Sequence, residues 1–128
     1  LYPGVVDTLN DLKNNGYRLF IASNGLKEYI KAVSEAFRIA EYFEAIYTAG
    51  EFHTETKIEL VKRLIKDYSI KKAIMVGDRK SDVDAGRANQ LYVVGCNFGF
   101  SSLDELNDAD IMIEHFSQLN EIVHRLSG

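Results

Sequence analysis

The sequence predicts an α/β domain with a mostly parallel, doubly wound sheet carrying helices on both faces. Three observations carry this. Short apolar runs bounded by turn signals alternate with longer stretches whose apolar residues recur at helical spacing. The short runs are apolar almost throughout, not at every second position, as strands covered on both faces must be. With 128 residues, 46% hydrophobic and 27% charged, the chain has the size and composition of one globular domain with a real core.

Val5, Leu9 and Leu12 fall at i, i+4 and i+7 and predict a helix over 4–15, stopped by Asn14-Asn15-Gly16. Tyr17 to Ala22 reads as a buried strand, followed by the turn Ser23-Asn24-Gly25 and a second helix on Leu26, Ile30, Val33 and Phe37. A short strand from Ala45 to Thr48 leads to a polar loop, Glu51 to Thr56, and a third helix on Ile58, Val61, Leu64, Ile65 and Tyr68. Lys72 to Val76 is a strand, and a helix follows from Ser81 to Asn89. The alternation continues with a strand from Leu91 to Gly95 and a loop in which Phe98 and Phe100 flank Gly99. A strand from Asp110 to Ile113 and a helix on Leu119, Ile122, Val123 and Leu126 complete it.

A net charge of −4 argues against nucleic-acid and membrane-surface binding, since the average field repels phosphates, while a local anion pocket stays allowed. The single Cys96 offers neither a disulfide framework nor a thiolate cluster, so a reducing cytoplasm is the economical expectation. No apolar run approaches the roughly 20 residues that span a bilayer. The opening Leu1-Tyr2-Pro3-Gly4 has no initiating Met and no preceding strand, which suggests a fragment.

The strongest chemical signal is Gly77-Asp78-Arg79-Lys80-Ser81-Asp82. Asp78 would project from a strand tip, and Asp82, one turn on, would return toward it. Converging carboxylates need a positive charge between them, and oxygen-only ligands favour a hard cation such as Mg²⁺. Helix capping alone also explains acidic residues at a helix start, and accounts for Asp84. The second signal is Ser23-Asn24-Gly25, where a hydroxyl and the free amides of a helix N-terminus can cradle an anion, or simply form a capped turn. The third is Lys57. Thr56 and Glu59 have capping-box spacing, which puts a cation at the first helical position, against the dipole. Something negative is expected beside it: a phosphate, or Asp78 with Asp82. His53, His115 and His124 share no metal spacing and read as surface residues.

Taken in order, Ser23-Asn24-Gly25, Lys57 and Gly77-Asp78-Arg79-Lys80-Ser81-Asp82 resemble the second, third and fourth motifs of the haloacid dehalogenase-like hydrolase superfamily, closest to its phosphoglycolate phosphatase and 5′-nucleotidase-like branch. The likeness runs nearly the whole length and implies a Rossmann-like core. It implies that Ser23, with Asn24 and Gly25, binds the phosphoryl group and that Lys57 neutralises its charge. Asp78 would ligate Mg²⁺, and Asp82 the metal or its waters. The implied reaction is Mg²⁺-dependent hydrolysis of a small phosphomonoester, such as phosphoglycolate or a nucleotide monophosphate, through an aspartyl-phosphate intermediate.

One departure is large. The family's Asp-x-Asp nucleophile strand is absent, and the pairs Asp82-Val83-Asp84 and Asp108-Ala109-Asp110 do not follow an apolar strand. In the family that strand lies between those ending at Ser23 and Gly77. Without it the two would stand about 9.6 Å apart, two strand spacings. The expectation is a single core domain over 1–128, without cap or nucleophile strand, inactive alone and needing an N-terminal segment to supply the strand. The competing reading is a non-catalytic phosphate- or partner-binding module. A receiver-like signalling domain is disfavoured because its acidic residues precede its hydroxyl and lysine, whereas here Ser23 comes first.

Overall fold

The structure, a computed structural model, describes residues 4–23, 39–53, 56–97 and 103–127. The helix expected on Leu26 to Phe37, and the loop around Phe98 and Phe100, lie outside them. In chain order the elements are α1 (Val5–Asn14), β1 (Phe20–Ser23), β2 (Ala45–Thr48), α2 (Ala49–Phe52), α3 (Lys57–Asp67) and β3 (Ile74–Gly77). They are followed by α4 (Lys80–Ala88), β4 (Tyr92–Cys96), β5 (Ile111–Ile113) and α5 (Gln118–Ser127).

Two expectations shift. The first strand begins at Phe20, not Tyr17, because the Tyr17 N–H donates back to the Leu12 carbonyl at 3.1 Å, closing α1. The segment after β2 turns at once into the single-turn α2 where a polar loop was expected. Phe52 is the cause: its ring stacks on Tyr47 at 4.2 Å between centroids, so the chain must curl back over β2.

Every strand pair is parallel, and the helices cover both faces. On one face α3 packs Leu60 and Leu64 onto Tyr47, Phe20 and Ala22, while α4 packs Val83 onto Val93 and Met75. On the other, Leu12 of α1 and Leu119, Ile122 and Val123 of α5 bury Val94, Cys96 and Ile113. This is the doubly wound α/β class that the apolar strands predict.

The sheet is broken. β1 pairs only with β2, and β3 pairs with β4, which pairs with β5; no ladder joins β1 to β3 among the described residues. Leu19, leading into β1, packs against the same core cluster as Ile74 and Val76 of β3. Burial agrees. β4, flanked on both sides, buries Val93 through Cys96, whereas every residue of β1 and β3 is only part-buried. The break expected from the sequence is therefore present. No described helix is long and apolar enough to cross a membrane.

Asp110 secures the outer side of β4. Its Oδ2 accepts the Val93 N–H at 2.7 Å and its Oδ1 accepts from Arg87 at 2.9 Å, tying β4, α4 and the start of β5 together. Asp110→Ala leaves the amide of fully buried Val93 unpaired. It is expected to lower stability by about 1–3 kcal/mol, read from urea midpoints at constant m, whereas exposed Asp108→Ala stays within about 0.5 kcal/mol of the parent.

Candidate active site

Because the strands are parallel, their C-terminal ends share one edge. Ser23 ends β1 in register with the fully buried Thr48 of β2, and Gly77 ends β3 in register with Gly95 of β4. Ligands in open α/β sheets bind at this edge. Asn24 and Gly25 lie outside the described residues, so only Ser23 of the expected anion cradle is placed, part-buried at its strand tip.

Lys57 is the first residue of α3, and the Thr56 hydroxyl oxygen caps that helix by accepting the Glu59 N–H at 3.2 Å. A cation at this position opposes the helix dipole by about 0.3–1 kcal/mol. Of the negative partners this leaves open, a phosphate or Asp78 with Asp82, the structure shows Asp82: the Lys57 ammonium donates to Asp82 Oδ1 in an ion pair whose side chains are only 12% and 10% exposed. The other oxygen, Oδ2, accepts the backbone N–H groups of Asp78 at 3.1 Å and Arg79 at 3.2 Å. Asp82 thus does two things at once. It folds the strand-to-helix turn back on itself, and it holds Lys57.

This geometry explains the motif's glycine. A Cβ on Gly77 would lie 2.2 Å from Asp82 Cβ and 2.3 Å from its Oδ2, so no larger residue fits beneath the returning carboxylate. It also refines the metal reading. Asp82 turns toward the Asp78 backbone, not toward the Asp78 carboxylate. Asp78 itself is part-buried, and its carboxylate makes no hydrogen bond or ion pair among the described residues. A half-sheltered carboxylate without a protein cation fits one ligand position of a hard metal ion. Asp82, already engaged by Lys57 and two amides, fits a role through an ordered water. Among the described residues no group of three or more His, Cys, Asp or Glu could by itself enclose a metal.

Neighbouring charges stay outside. Asp84 pairs with exposed Lys80 at 3.0 Å, and the hydrogen bond from Lys80 to Asp84 raises the lysine's pKa. Arg79 reaches Glu105 at 3.6 Å. His53, His115 and His124 are all exposed, as the sequence suggests. Cys96, at the tip of β4, is a buried core residue that lies near the site carboxylates. Burial first, then the nearby charges of Asp78 and Asp82, push its thiol up to about 12. Nothing in its flanking sequence reveals this, because the carboxylates come from the neighbouring β3 tip and α4.

Residues 1–96 match the family model described as haloacid dehalogenase-like hydrolase. A soluble P-type ATPase-like phosphatase of Methanocaldococcus jannaschii is 33% identical over 126 residues, 98% of this chain and 44% of that protein. A phosphoglycolate phosphatase of Nitrosococcus oceani is 30% identical over 129 residues, 96% of this chain and 57% of that protein. The crystal structure of a predicted phosphatase from Clostridium acetobutylicum superimposes with a TM-score of 0.88 at 29% identity, covering 97% of this chain and 60% of that one. The chain thus spans about half the length of these curated relatives.

Two outcomes check the site. Asp82→Ala strands a buried Lys57 charge and is expected to lower stability by about 3–5 kcal/mol in urea unfolding. An exposed substitution such as Asp84→Ala should change it by less than about 1 kcal/mol. With its thiolate disfavoured, Cys96 should resist Ellman's reagent at pH 8 in the native protein and react fully in denaturant; fast native labelling would contradict the burial and charge described for it.

Proposed function

The chain belongs to the haloacid dehalogenase-like hydrolase family, and we propose that the protein containing it is a Mg²⁺-dependent phosphomonoester hydrolase. The observation that carries this reading is the buried Lys57–Asp82 pair beside the Asp78 carboxylate, which has no partner among the described residues, on the sheet edge where Ser23 ends β1. A held ammonium, a hydroxyl and an open carboxylate are what a phosphoryl group needs, since its transfer depends mostly on positioning and charge stabilisation.

In this reading the Ser23 hydroxyl and the amides of Asn24 and Gly25 hold the non-bridging phosphoryl oxygens. Lys57 neutralises charge gathering on those oxygens, and Asp82 keeps the ammonium aimed. Asp78 would hold Mg²⁺, and Asp82 would support it through water. When bound, the metal would supply a Lewis acid for phosphoryl oxygens. The attacking carboxylate comes from outside residues 1–128, on a strand entering between β1 and β3, parallel to both. Its oxygen bonds to phosphorus as the ester oxygen leaves and takes a proton from the second carboxyl group of that Asp-x-Asp strand, which regains one from the attacking water in the next step. Water then hydrolyses the acyl phosphate, releasing inorganic phosphate and restoring the carboxylate.

Substrates of the class are small phosphorylated metabolites; phosphoglycolate and nucleotide monophosphates are the first to test, and the cytoplasm is the proposed location. The names of the relatives support this class. Residues 1–128 alone should bind phosphate without turning over substrate, as the non-catalytic alternative would for the intact protein. The test is a phosphomonoester panel on the full-length protein, with and without Mg²⁺. Lys57→Ala and Asp78→Ala are each expected to lower kcat by about 10²-fold or more. Full activity in both variants would refute the site, and no activity in the full-length parent would favour the non-catalytic reading.

A further inference from the structure

α3 carries at each end a charge that its own dipole disfavours: Lys57 at its first position and Asp67 at its last. Each has a tertiary partner. Lys57 has Asp82, as above, and Asp67 has β2: the Tyr47 hydroxyl donates to Asp67 Oδ2 at 2.5 Å, joined by Arg63 Nε at 3.2 Å. Tyr47 is 7% exposed, precedes the register partner of Ser23, and stacks on Phe52, over whose ring the Arg63 guanidinium sits at 5.3 Å.

Leu60 and Leu64 hold α3 against β2, but apolar contact is non-directional and resists separation more than sliding. A hydrogen bond fixes distance and angle, and therefore position along the helix axis. We infer that the Tyr47–Asp67 hydrogen bond is the positioning device for Lys57, setting where its ammonium stands about 15 Å away at the other end of α3. The bond raises the Tyr47 phenol to about 12 and lowers the Asp67 carboxyl below its ordinary value, so both partners keep the required protonation states through neutral pH. The consequence for rate rests on the phosphatase reading; the geometric claim does not.

The experiment compares Tyr47→Phe, Asp67→Ala and Asp67→Asn in the full-length protein, the last keeping an acceptor for the tyrosine. The first readout is hydrogen exchange of the Lys57 ammonium by ¹⁵N NMR, which needs no activity. The second is kcat on a phosphomonoester. Tyr47→Phe and Asp67→Ala should each speed Lys57 exchange about 5-fold and lower kcat about 10-fold, since small misplacements of a charge-stabilising group are costly. Asp67→Asn should stay within about 2-fold, and the double variant should be no worse than either single one. Unchanged Lys57 exchange in Tyr47→Phe, or fully additive effects in the double variant, would overturn the inference. An inactive parent in which exchange still responds would sink the phosphatase reading while supporting this one.

Discussion

The buried ion pair between Lys57 and Asp82 is the constraint on which the rest of the site depends. Lys57 begins α3, which lies over β1 and β2, while Asp82 sits in the first turn of α4, which lies over β3 and β4. Those two strand pairs share no ladder. The pair is therefore a polar tie across a broken sheet, made where the chemistry is expected. Relative to apolar residues of similar volume, such a pair adds little net stability, because each ion loses several kcal/mol of hydration. What it fixes is position, and here the position is that of a cation beside an open carboxylate.

The break and the site are one feature seen from two directions. A parallel sheet normally buries its central strands most deeply, yet β1 and β3 are less buried than β4. Among the described residues no ladder joins the two, so each pairs with a strand on one side only. What the structure places of the candidate site is held by the Thr56 cap of α3, the turn from Gly77 to Asp82 and the one ion pair that crosses between α3 and α4.

How far the sequence could be read follows from the range of each interaction. β2 was read residue for residue, and β3 to β5 within two residues, because apolar runs between turn signals are local. Lys57 as the first residue of α3 followed from Thr56 and Glu59, which are equally local. The errors came from contacts across the fold. Tyr17 left the strand because its amide closes α1, and α2 formed because Phe52 found the Tyr47 ring. At the site, the spacing from Asp78 to Asp82 correctly implied that the second carboxylate turns back. It could not say that one oxygen goes to the Asp78 and Arg79 amides while the other goes to Lys57, for which the sequence leaves open a phosphate or Asp78 with Asp82 as the partner.

A rule for reading sequences follows from α3. Glu59 in its first turn and Lys66 in its last agree with the dipole, and local electrostatics account for them. Lys57 and Asp67 do not agree with it, and no neighbour within the helix removes the conflict at Lys57. A charge that its own helix disfavours must be held by something else, and both are: one by Asp82, the other by Tyr47 with Arg63. The conflict is visible in the sequence, and for Lys57 it narrows the partner to a phosphate or to Asp78 with Asp82. Where the helix itself offers no partner, as for Lys57 in α3 and unlike Lys80, which pairs with Asp84 of its own helix α4, such a conflict marks a side chain held from outside, and Lys57 is the lysine of the candidate site.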